Sequence, residues 1–206
     1  MGDSTQYFDN ISQVWDKDSL RLEIAKNSSL AIQENIPLNK TMHLLDFGCG
    51  TGLVSFDLAQ FVQKVSGVDN SPKMVEEFNK KAATHKLNAS AEFVKNNKIE
   101  FKESMYDLAV SSMVFHHLID PMGMIQKLYH SIKIGGYLCI VDLDPEDGSF
   151  HPPDIQGVYH HGFSRNQMKV WFKTAGFEKI NTETAFSFDK NNKEYSTFLC
   201  TGKRVQ

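Results

Sequence analysis

A glycine-rich segment over residues 44–53 reads Leu-Leu-Asp-Phe-Gly-Cys-Gly-Thr-Gly-Leu and is the stretch best suited to bind a cofactor. Gly48, Gly50 and Gly52 let the backbone turn sharply out of a strand and let a ligand approach closely. A helix that begins after such a turn offers free amide groups. The spacing is G-x-G-x-G and not the dinucleotide pattern G-x-G-x-x-G, because Leu53 stands where a third small residue is required.

Asp69 follows this turn at the distance expected of an acid that binds a ribose. It ends the apolar run that starts at Val65, 19 residues after Gly50. An acid at that place can accept hydrogen bonds from the ribose hydroxyls of a nucleoside. Together with Asp46, which precedes the turn, it predicts a site for a nucleoside cofactor.

Histidines supply the candidates for acid–base chemistry. His116 and His117 follow a predicted strand, at the sheet edge where ligands bind in open α/β folds. His151, His160 and His161 fall within a long loop rich in Pro, Gly and Asp. A histidine with a pKa near neutrality can take a proton from an acceptor, so we predict catalytic roles for 117, 160 and 161. The alternative, that each one caps a helix or bonds to backbone, stays open.

The same loop raises the question of a metal. His151, His160, His161 and Asp154 have ligand types that suit zinc or nickel. Their spacings match no recognised metal-binding signature. From the sequence we therefore predict no metal site.

Alternating strands and helices must position these residues. Apolar runs and segments of helical period alternate from residue 42 to 143, which predicts a parallel sheet with right-handed crossovers. The predicted strands are Met42–Phe47, Val65–Asp69, Ala89–Val94, Leu108–Val114 and Tyr137–Leu143, the last one entered through a turn at Gly135 and Gly136. Ser71 and Pro72 open a helix as cap and first residue. Beyond the loop, a helix over Ser164–Ala175 precedes two strand-like runs, 177–187 and 194–202, which predict a hairpin and an antiparallel last strand.

The 206 residues fit a single domain of ordinary globular composition, with 41% hydrophobic and 23% charged residues. We divide it into an N-terminal helical lid (1–40), a cofactor-binding core (41–143), a substrate loop (144–163) and a C-terminal helix with a hairpin (164–206).

Net charge, hydropathy and cysteine content restrict the kinds of partner and the compartment that we predict. The net charge of −3 disfavours nucleic acid as the main partner. No apolar stretch reaches the ~18 residues of a membrane span. Three scattered cysteines form no disulfide framework, which favours a reducing cytoplasm. The oligomeric state is not predicted.

These motifs resemble class I S-adenosylmethionine-dependent methyltransferases, of the small-molecule type that includes quinone-biosynthesis enzymes. The resemblance is carried by 44–53, Val68–Met74, Tyr106–Ser112, Phe115–Leu118, Leu128–Gly136, Gly162–Arg165 and Ala175–Phe177. It implies a Rossmann-like, seven-stranded, mostly parallel sheet with the last strand antiparallel and helices on both faces. It also implies S-adenosylmethionine as cofactor and a small-molecule methyl acceptor.

The resemblance assigns roles to residues of the cofactor site. The turn borders the methionine half, Asp69 holds the ribose, Asp46 orients the amino group, and Asn70 and Met74 flank the adenine. Where the family has Asp and a small residue after strand three, this chain has Asn97 and Lys98. The full predicted set is Asp46, Gly48, Cys49, Gly50, Gly52, Leu53, Asp69, Asn70, Met74, Asn97, Lys98 and Ser112. Cys49 is expected to pack and not to act as a nucleophile.

For the acceptor, the resemblance implies an aromatic lid near the N-terminus. The predicted substrate residues are Tyr7, Trp15, His116, His151 and Tyr159. Methyl transfer from a sulfonium is an in-line displacement that needs positioning and exclusion of water. A general base is needed only if the acceptor is protonated at working pH.

Two alternatives remain at this point. One is an NAD-binding oxidoreductase on a similar fold. Leu53 in the glycine segment and the lack of a Tyr-x-x-x-Lys pair disfavour it. The other is a protein that binds S-adenosylmethionine without catalysis.

Overall fold

The computed structural model describes residues 4–95, 99–152 and 155–206. Within these residues one sheet is flanked by helices. Its strands are β1 (His43–Phe47), β2 (Lys64–Asp69), β3 (Ala89–Phe93), β4 (Tyr106–Ser112), β5 (Ile132–Leu143), β6 (Glu178–Lys190) and β7 (Lys193–Lys203). The α-helices are α1 (Ser4–Ile11), α2 (Ser19–Asn35), α3 (Leu53–Ala59), α4 (Pro72–Thr84), α5 (Pro121–Ser131) and α6 (Arg165–Ala175). None of these helices is long and apolar enough to cross a membrane.

The strand order is β3-β2-β1-β4-β5-β7-β6. The first five strands are parallel, and β7 runs antiparallel to both β5 and β6. The predicted fold class, a seven-stranded and mostly parallel sheet with an antiparallel last strand, is therefore confirmed. The order differs from the dinucleotide-binding order 3-2-1-4-5-6 because β7 lies between β5 and β6.

Strand β1 shows why the sheet lies between two helical layers. Leu44 and Leu45 are both 0% exposed and belong to two different hydrophobic clusters. Successive side chains of a strand point to opposite faces, so each leucine meets another layer. Leu44 shares its cluster with Ile32 of α2 and Leu58 of α3, whereas Leu45 shares the other with Leu128 of α5. Both faces of the central strands are thus covered.

Helix α4 begins as its sequence predicts. The Ser71 hydroxyl accepts a hydrogen bond from the Met74 N–H at 3.2 Å, and Pro72 is the first helical residue. The cap fixes the start of α4 directly after β2, so Asp69 and Asn70 remain at the carboxyl end of the sheet.

Strand β5 begins five residues earlier than expected. We predicted a turn at Gly135 and Gly136 before the strand, but β5 starts at Ile132. The chain stays extended because the Gly135 N–H donates to the Arg204 carbonyl at 2.7 Å and the Arg204 N–H donates to the Gly136 carbonyl at 2.9 Å. Gly135 has φ +89°, in the left-handed region that favours glycine. Hydrogen bonds with Arg204, near the C-terminus, therefore extend β5 at its N-terminal end.

Candidate active site

A cavity of about 330 Å³ opens at the carboxyl edge of the sheet. Its wall combines the ends of β1, β2 and β4, the loop after β5, helix α1 and the start of α2. Many of the predicted site residues line it together: Tyr7, Trp15, Asp46, Gly48, Cys49, Gly50, Leu53, Asp69, Asn70, Met74, Ser112, His116, His117 and His151. Asn97 and Lys98 lie outside the described residues.

The glycine turn is tied to the end of β2. The N–H groups of Gly48 and Cys49 donate to the Val68 carbonyl at 2.8 and 3.1 Å. Gly50 and Gly52 have φ values of +50° and +91°, in the left-handed region that favours glycine. Apart from Gly50 itself and its two chain neighbours, no heavy atom of the described residues lies within 4 Å of the place where a Gly50 Cβ would sit. The turn therefore offers its backbone to a ligand.

Asp69 connects the turn to α4. One of its carboxylate oxygens accepts from the Gly50 N–H and the other from the Ser71 N–H, both at 2.8 Å. Burial raises the pKa of Asp69, while these backbone donors lower it in part. The same carboxylate lines the cavity, where a ribose would meet it.

Asp46 is a buried acid at the end of β1, only 3% exposed. It accepts a hydrogen bond from the Ser55 hydroxyl at 2.6 Å. Burial raises the pKa of Asp46 to about 7, with a further contribution from the charge of Asp69 against the lowering effect of Ser55. A cationic group beside Asp46 would favour the ionised carboxylate, which suits the ammonium group of a methionine moiety.

Cys49 packs against strand β2. A Cβ placed on Gly67 would lie 2.7 Å from the Cys49 sulfur, so the thiol fills the space that this glycine leaves. Burial raises the pKa of the Cys49 thiol well above its usual value. A buried thiol of this kind is a small hydrophobic group and not an activated nucleophile.

His116 is held by an acid at the end of β5. The ring is 1% exposed, and its Nδ1 lies 2.7 Å from Asp142 Oδ1. Asp142 also accepts from the N–H groups of Phe115 and Leu143, at 2.9 and 2.7 Å. Burial would raise the pKa of Asp142, but the interaction with His116 lowers it below its ordinary value. The carboxylate therefore fixes the ring by a bond from Nδ1, and Nε2 is left for other contacts.

His117 and His151 complete a cluster of three rings. The Nδ1 of His117 donates to the Gly157 carbonyl at 2.8 Å. The ring centroid of His151 lies 4.9 Å from that of His116 and 5.4 Å from that of His117. Burial and the neighbouring rings lower the pKa of His117 to about 4 and that of His151 to about 3. Both imidazoles are neutral at physiological pH.

The other three predicted residues of the loop, Tyr159, His160 and His161, lie outside the lining of the cavity. The backbone N–H groups of Tyr159 and His160 donate to the His116 carbonyl, so this part of the loop passes beside the cavity wall. The Nε2 of His160 donates to the Leu118 carbonyl at 2.9 Å, and His161 Nδ1 lies 3.3 Å from Glu146. Tyr159 is 44% exposed. In the described part of the chain, none of these three residues lines the cavity.

The N-terminal aromatic residues lie over the cavity. The Phe8 ring lies 5.4 Å from that of His117 and 5.7 Å from that of Trp15, which in turn lies under the Arg21 guanidinium at 4.0 Å. These rings bring α1 and the following 3-10 turn, Ser12–Lys17, against the histidine cluster.

Polar contacts anchor the same segment to the cofactor side of the cavity. Asp9 accepts from the Ser71 hydroxyl, and Asp16 accepts from the Thr51 hydroxyl and from Lys81, each at 2.5 Å. Thr51 belongs to the glycine turn. The N-terminal segment is therefore coupled to the turn and to α4.

Lys190 and Asp142 are site residues that the sequence did not single out. Lys190, at the end of β6, lines the cavity and donates to the Phe150 carbonyl at 2.5 Å. Its Nζ also lies 4.1 Å from the centroid of the Phe150 ring. No sequence motif marks Lys190, because only the folded sheet brings the end of β6 to the cavity. Asp142 had a signal, an acid at the carboxyl end of a predicted strand, which is where ligands bind in open α/β sheets.

Fold and site together define the class of this protein. The seven-stranded sheet with its antiparallel β7, the glycine turn after β1 and the acid after β2 are those of class I S-adenosylmethionine-dependent methyltransferases. The family model described as a methyltransferase domain matches residues 45–140. The chain contains a methyltransferase domain of this class.

Known proteins resemble it in sequence or in fold. An uncharacterised methyltransferase of Schizosaccharomyces pombe is 32% identical in an alignment of 175 positions that covers 77% of this chain and 61% of that protein. A methyltransferase structure from Thermotoga maritima has a TM-score of 0.75 at 17% identity, covering 98% of this chain and 100% of that one. The Haemonchus contortus phosphoethanolamine N-methyltransferase 2, solved with S-adenosylhomocysteine, has a TM-score of 0.72 at 18% identity, covering 87% and 53%.

The matches cover parts of longer relatives. The chain spans 61%, 37% and 46% of the lengths of three curated methyltransferases that it matches. The structural likenesses, all at low identity, show the fold.

Proposed function

We propose that this protein transfers the methyl group of S-adenosylmethionine to a small-molecule acceptor. One observation carries the proposal: a single cavity joins the glycine turn and Asp69 to the aromatic lid and the histidine cluster. A cofactor bound on the first side and an acceptor on the second would share one enclosed space. That arrangement is what an in-line displacement requires.

The cofactor side supplies a partner for each part of S-adenosylmethionine. We assign the ribose to Asp69, the ammonium group to Asp46, and the methionine chain to the backbone of Gly48 and Gly50. Asn70 and Met74 flank the adenine in this proposal, and Ser112 lines the same cavity. The sulfonium would then lie between the turn and the histidines.

The acceptor side favours a small molecule with apolar surface. Phe8, Trp15 and Phe150 line it, and the lid covers it. Such walls exclude water, which protects a charged transition state and the reactive methyl group. A cavity of about 330 Å³ has the size of a small-ligand site and does not suit a nucleic acid duplex.

The role of the histidines belongs to this proposal as well. Of the three predicted catalytic histidines, His117 lines the cavity, so we assign any histidine assistance from that set to His117. We also propose a reducing, cytoplasmic location, since all three cysteines are buried and unpaired.

Two measurements test the proposal. Calorimetric titration should show binding of S-adenosylmethionine and S-adenosylhomocysteine but not of NAD. Incubation with methyl-labelled cofactor and an extract of small metabolites should place the label on an extract component. Binding of NAD in place of the adenosyl compounds would indicate the oxidoreductase alternative. Cofactor binding with no transfer to any fraction would indicate a protein without catalysis.

A further inference from the structure

We propose that His116, His117 and His151 bind a zinc ion in the acceptor half of the cavity. The three side chains come from two loops at the carboxyl edge of the sheet, one after β4 and one after β5. One ring nitrogen from each residue can be chosen so that all three lie within 4.8 Å of one another. Only His151 belongs also to the loop residues that the sequence analysis considered as metal ligands.

The distances suit a metal after a small adjustment. Zinc binds imidazole nitrogen at about 2.0–2.1 Å, so tetrahedral ligands lie about 3.3–3.4 Å apart. The ligand atoms here must close by at most about 1.5 Å to reach that spacing. His151 is half-buried on a loop, so a change of side-chain torsion can supply this movement.

The contacts behind the rings are those of metal-binding histidines. Such residues donate their second N–H to a carboxylate or a backbone carbonyl, which fixes the tautomer and the ring. His116 has this contact with Asp142 and His117 has it with the Gly157 carbonyl. In the neutral form of each ring, this contact leaves Nε2 unprotonated and able to bind a metal ion.

An unpartnered atom points to the missing ligand. The Nε2 of His116 is buried and has no hydrogen-bond partner among the described residues. Buried polar atoms of this kind are rare in folded proteins, because leaving them unpaired costs free energy. A bound cation would pair with this nitrogen.

The chemistry of the site follows from its open position. Three histidines leave a fourth position for water or substrate, as in catalytic zinc sites. Resting on the proposed function, we assign that position to an acceptor thiol or hydroxyl. The acceptor loses its proton to solvent, and its heteroatom lone pair attacks the methyl carbon. The carbon–sulfur bond of S-adenosylmethionine breaks toward sulfur, which leaves neutral S-adenosylhomocysteine and the methylated acceptor.

The test measures zinc binding directly on tag-free protein. The protein is stripped with a chelator and titrated with zinc against a chromophoric competitor. We expect one equivalent bound at submicromolar Kd, and visible absorption of a four-coordinate ion when cobalt replaces zinc. Replacing His151 by Gln, or His117 by Gln, should weaken zinc binding at least about 10-fold. The exposed His85, changed to Gln, serves as the matched control and should bind like the wild type.

The outcomes separate this site from the function it rests on. Calorimetry with S-adenosylhomocysteine is run on stripped wild type and on the His151→Gln variant, both of which should bind the cofactor product. Zinc binding that is absent, or that the control variant loses equally, overturns the metal site while cofactor binding still stands. Zinc binding without any cofactor binding overturns the proposed function and leaves the metal site in place.

Discussion

At the scale of single residues, Asp69 performs two tasks with one carboxylate. It holds the Gly50 N–H and the Ser71 N–H while it faces the cavity. It thus shapes the glycine turn and offers oxygen to a ligand in the cavity. An uncharged amide at this position would replace one accepting oxygen by an NH2 group, so one of the two backbone hydrogen bonds would be lost.

Replacing Asp69 by Ala should weaken the binding of S-adenosylmethionine at least about 10-fold. A hydrogen bond to a charged group contributes about 1.5–3 kcal/mol, and the variant loses such bonds to the ribose. Calorimetric titration measures the change. Glu76, an exposed acid of α4, provides the matched control as Glu76→Ala and should leave Kd unchanged. An unaltered Kd in the Asp69 variant would show that the ribose lies elsewhere.

Asp46 should make the ligand-free protein less stable as pH rises. Burial raises the pKa of this acid to about 7, against about 3.9 in an unfolded chain. The folded state therefore holds a proton that the unfolded state releases, and its free energy of unfolding falls between about pH 4 and pH 7. Above that window the loss approaches a few kcal/mol, at about 1.4 kcal/mol for each unit of pKa difference.

The variant Asp46→Asn isolates this effect. It carries no titrating proton, so its advantage in stability over the wild type should be small at pH 4 and grow toward pH 8. Urea unfolding of both proteins at several pH values measures the difference. Binding of S-adenosylmethionine should weaken in the same variant, because the carboxylate charge is lost. A difference in stability that is constant across pH would mean that Asp46 is ionised throughout.

At the scale of elements, two of the polar contacts that hold the N-terminal segment come from one side chain, so one substitution can remove both. Asp16 joins this segment to Thr51 and Lys81. Removing it as Asp16→Ala should cost local contacts of about 1–2 kcal/mol and raise amide exchange over residues 4–17 roughly tenfold. Exchange in β4 should not change. Hydrogen-exchange mass spectrometry checks this.

Lys17 supplies the control for the lid experiment. It is exposed in the same 3-10 turn, and Lys17→Ala should leave the exchange of residues 4–17 as it is. Faster exchange across the whole chain of the Asp16 variant would indicate global destabilisation. Unchanged exchange would show that Asp9 and the aromatic contacts of Phe8 and Trp15 hold this segment without Asp16.

The order of elements was predictable because its signals are local. Apolar runs, the Ser71 cap with Pro72 and the split between the last two strands each depend on a few neighbouring residues. The position of β7 between β5 and β6 was not predictable in this way, since it depends on which edge the hairpin meets. The early start of β5 has the same origin, because Arg204 comes from the far end of the chain.

Which parts of the candidate site could be predicted depends on the same difference between local and distant contacts. Gly50 of the glycine turn and Asp69 are 19 residues apart and form a motif, so their contact could be predicted. The contact of Asp142 with His116 spans 26 residues and two strands, and no neighbouring residues predict it. His151 joins His116 and His117 only because the loop after β5 folds back over the edge of the sheet.

At the scale of the whole molecule, the sheet brings the two halves of the site together. The cofactor side depends on β1, β2 and α4, whereas Lys190 on the acceptor side comes from β6, at the opposite end of the strand order. One continuous sheet connects them through β4, β5 and β7. Binding energy gained at one end therefore stabilises a structure that includes the other.

This continuity predicts how the cofactor affects thermal unfolding. A ligand that binds only the folded state stabilises it by about 2.7 kcal/mol at 100 times its Kd. For a chain of this length, each kcal/mol raises Tm by about 2–4 °C, so saturating S-adenosylhomocysteine should raise Tm by about 5–10 °C. The transition should stay single and move as a whole, because no part of the sheet can unfold alone without exposing its neighbour. NAD at the same concentration should leave Tm unchanged. A second transition that does not respond to S-adenosylhomocysteine would show that the β6–β7 hairpin unfolds independently of the cofactor side.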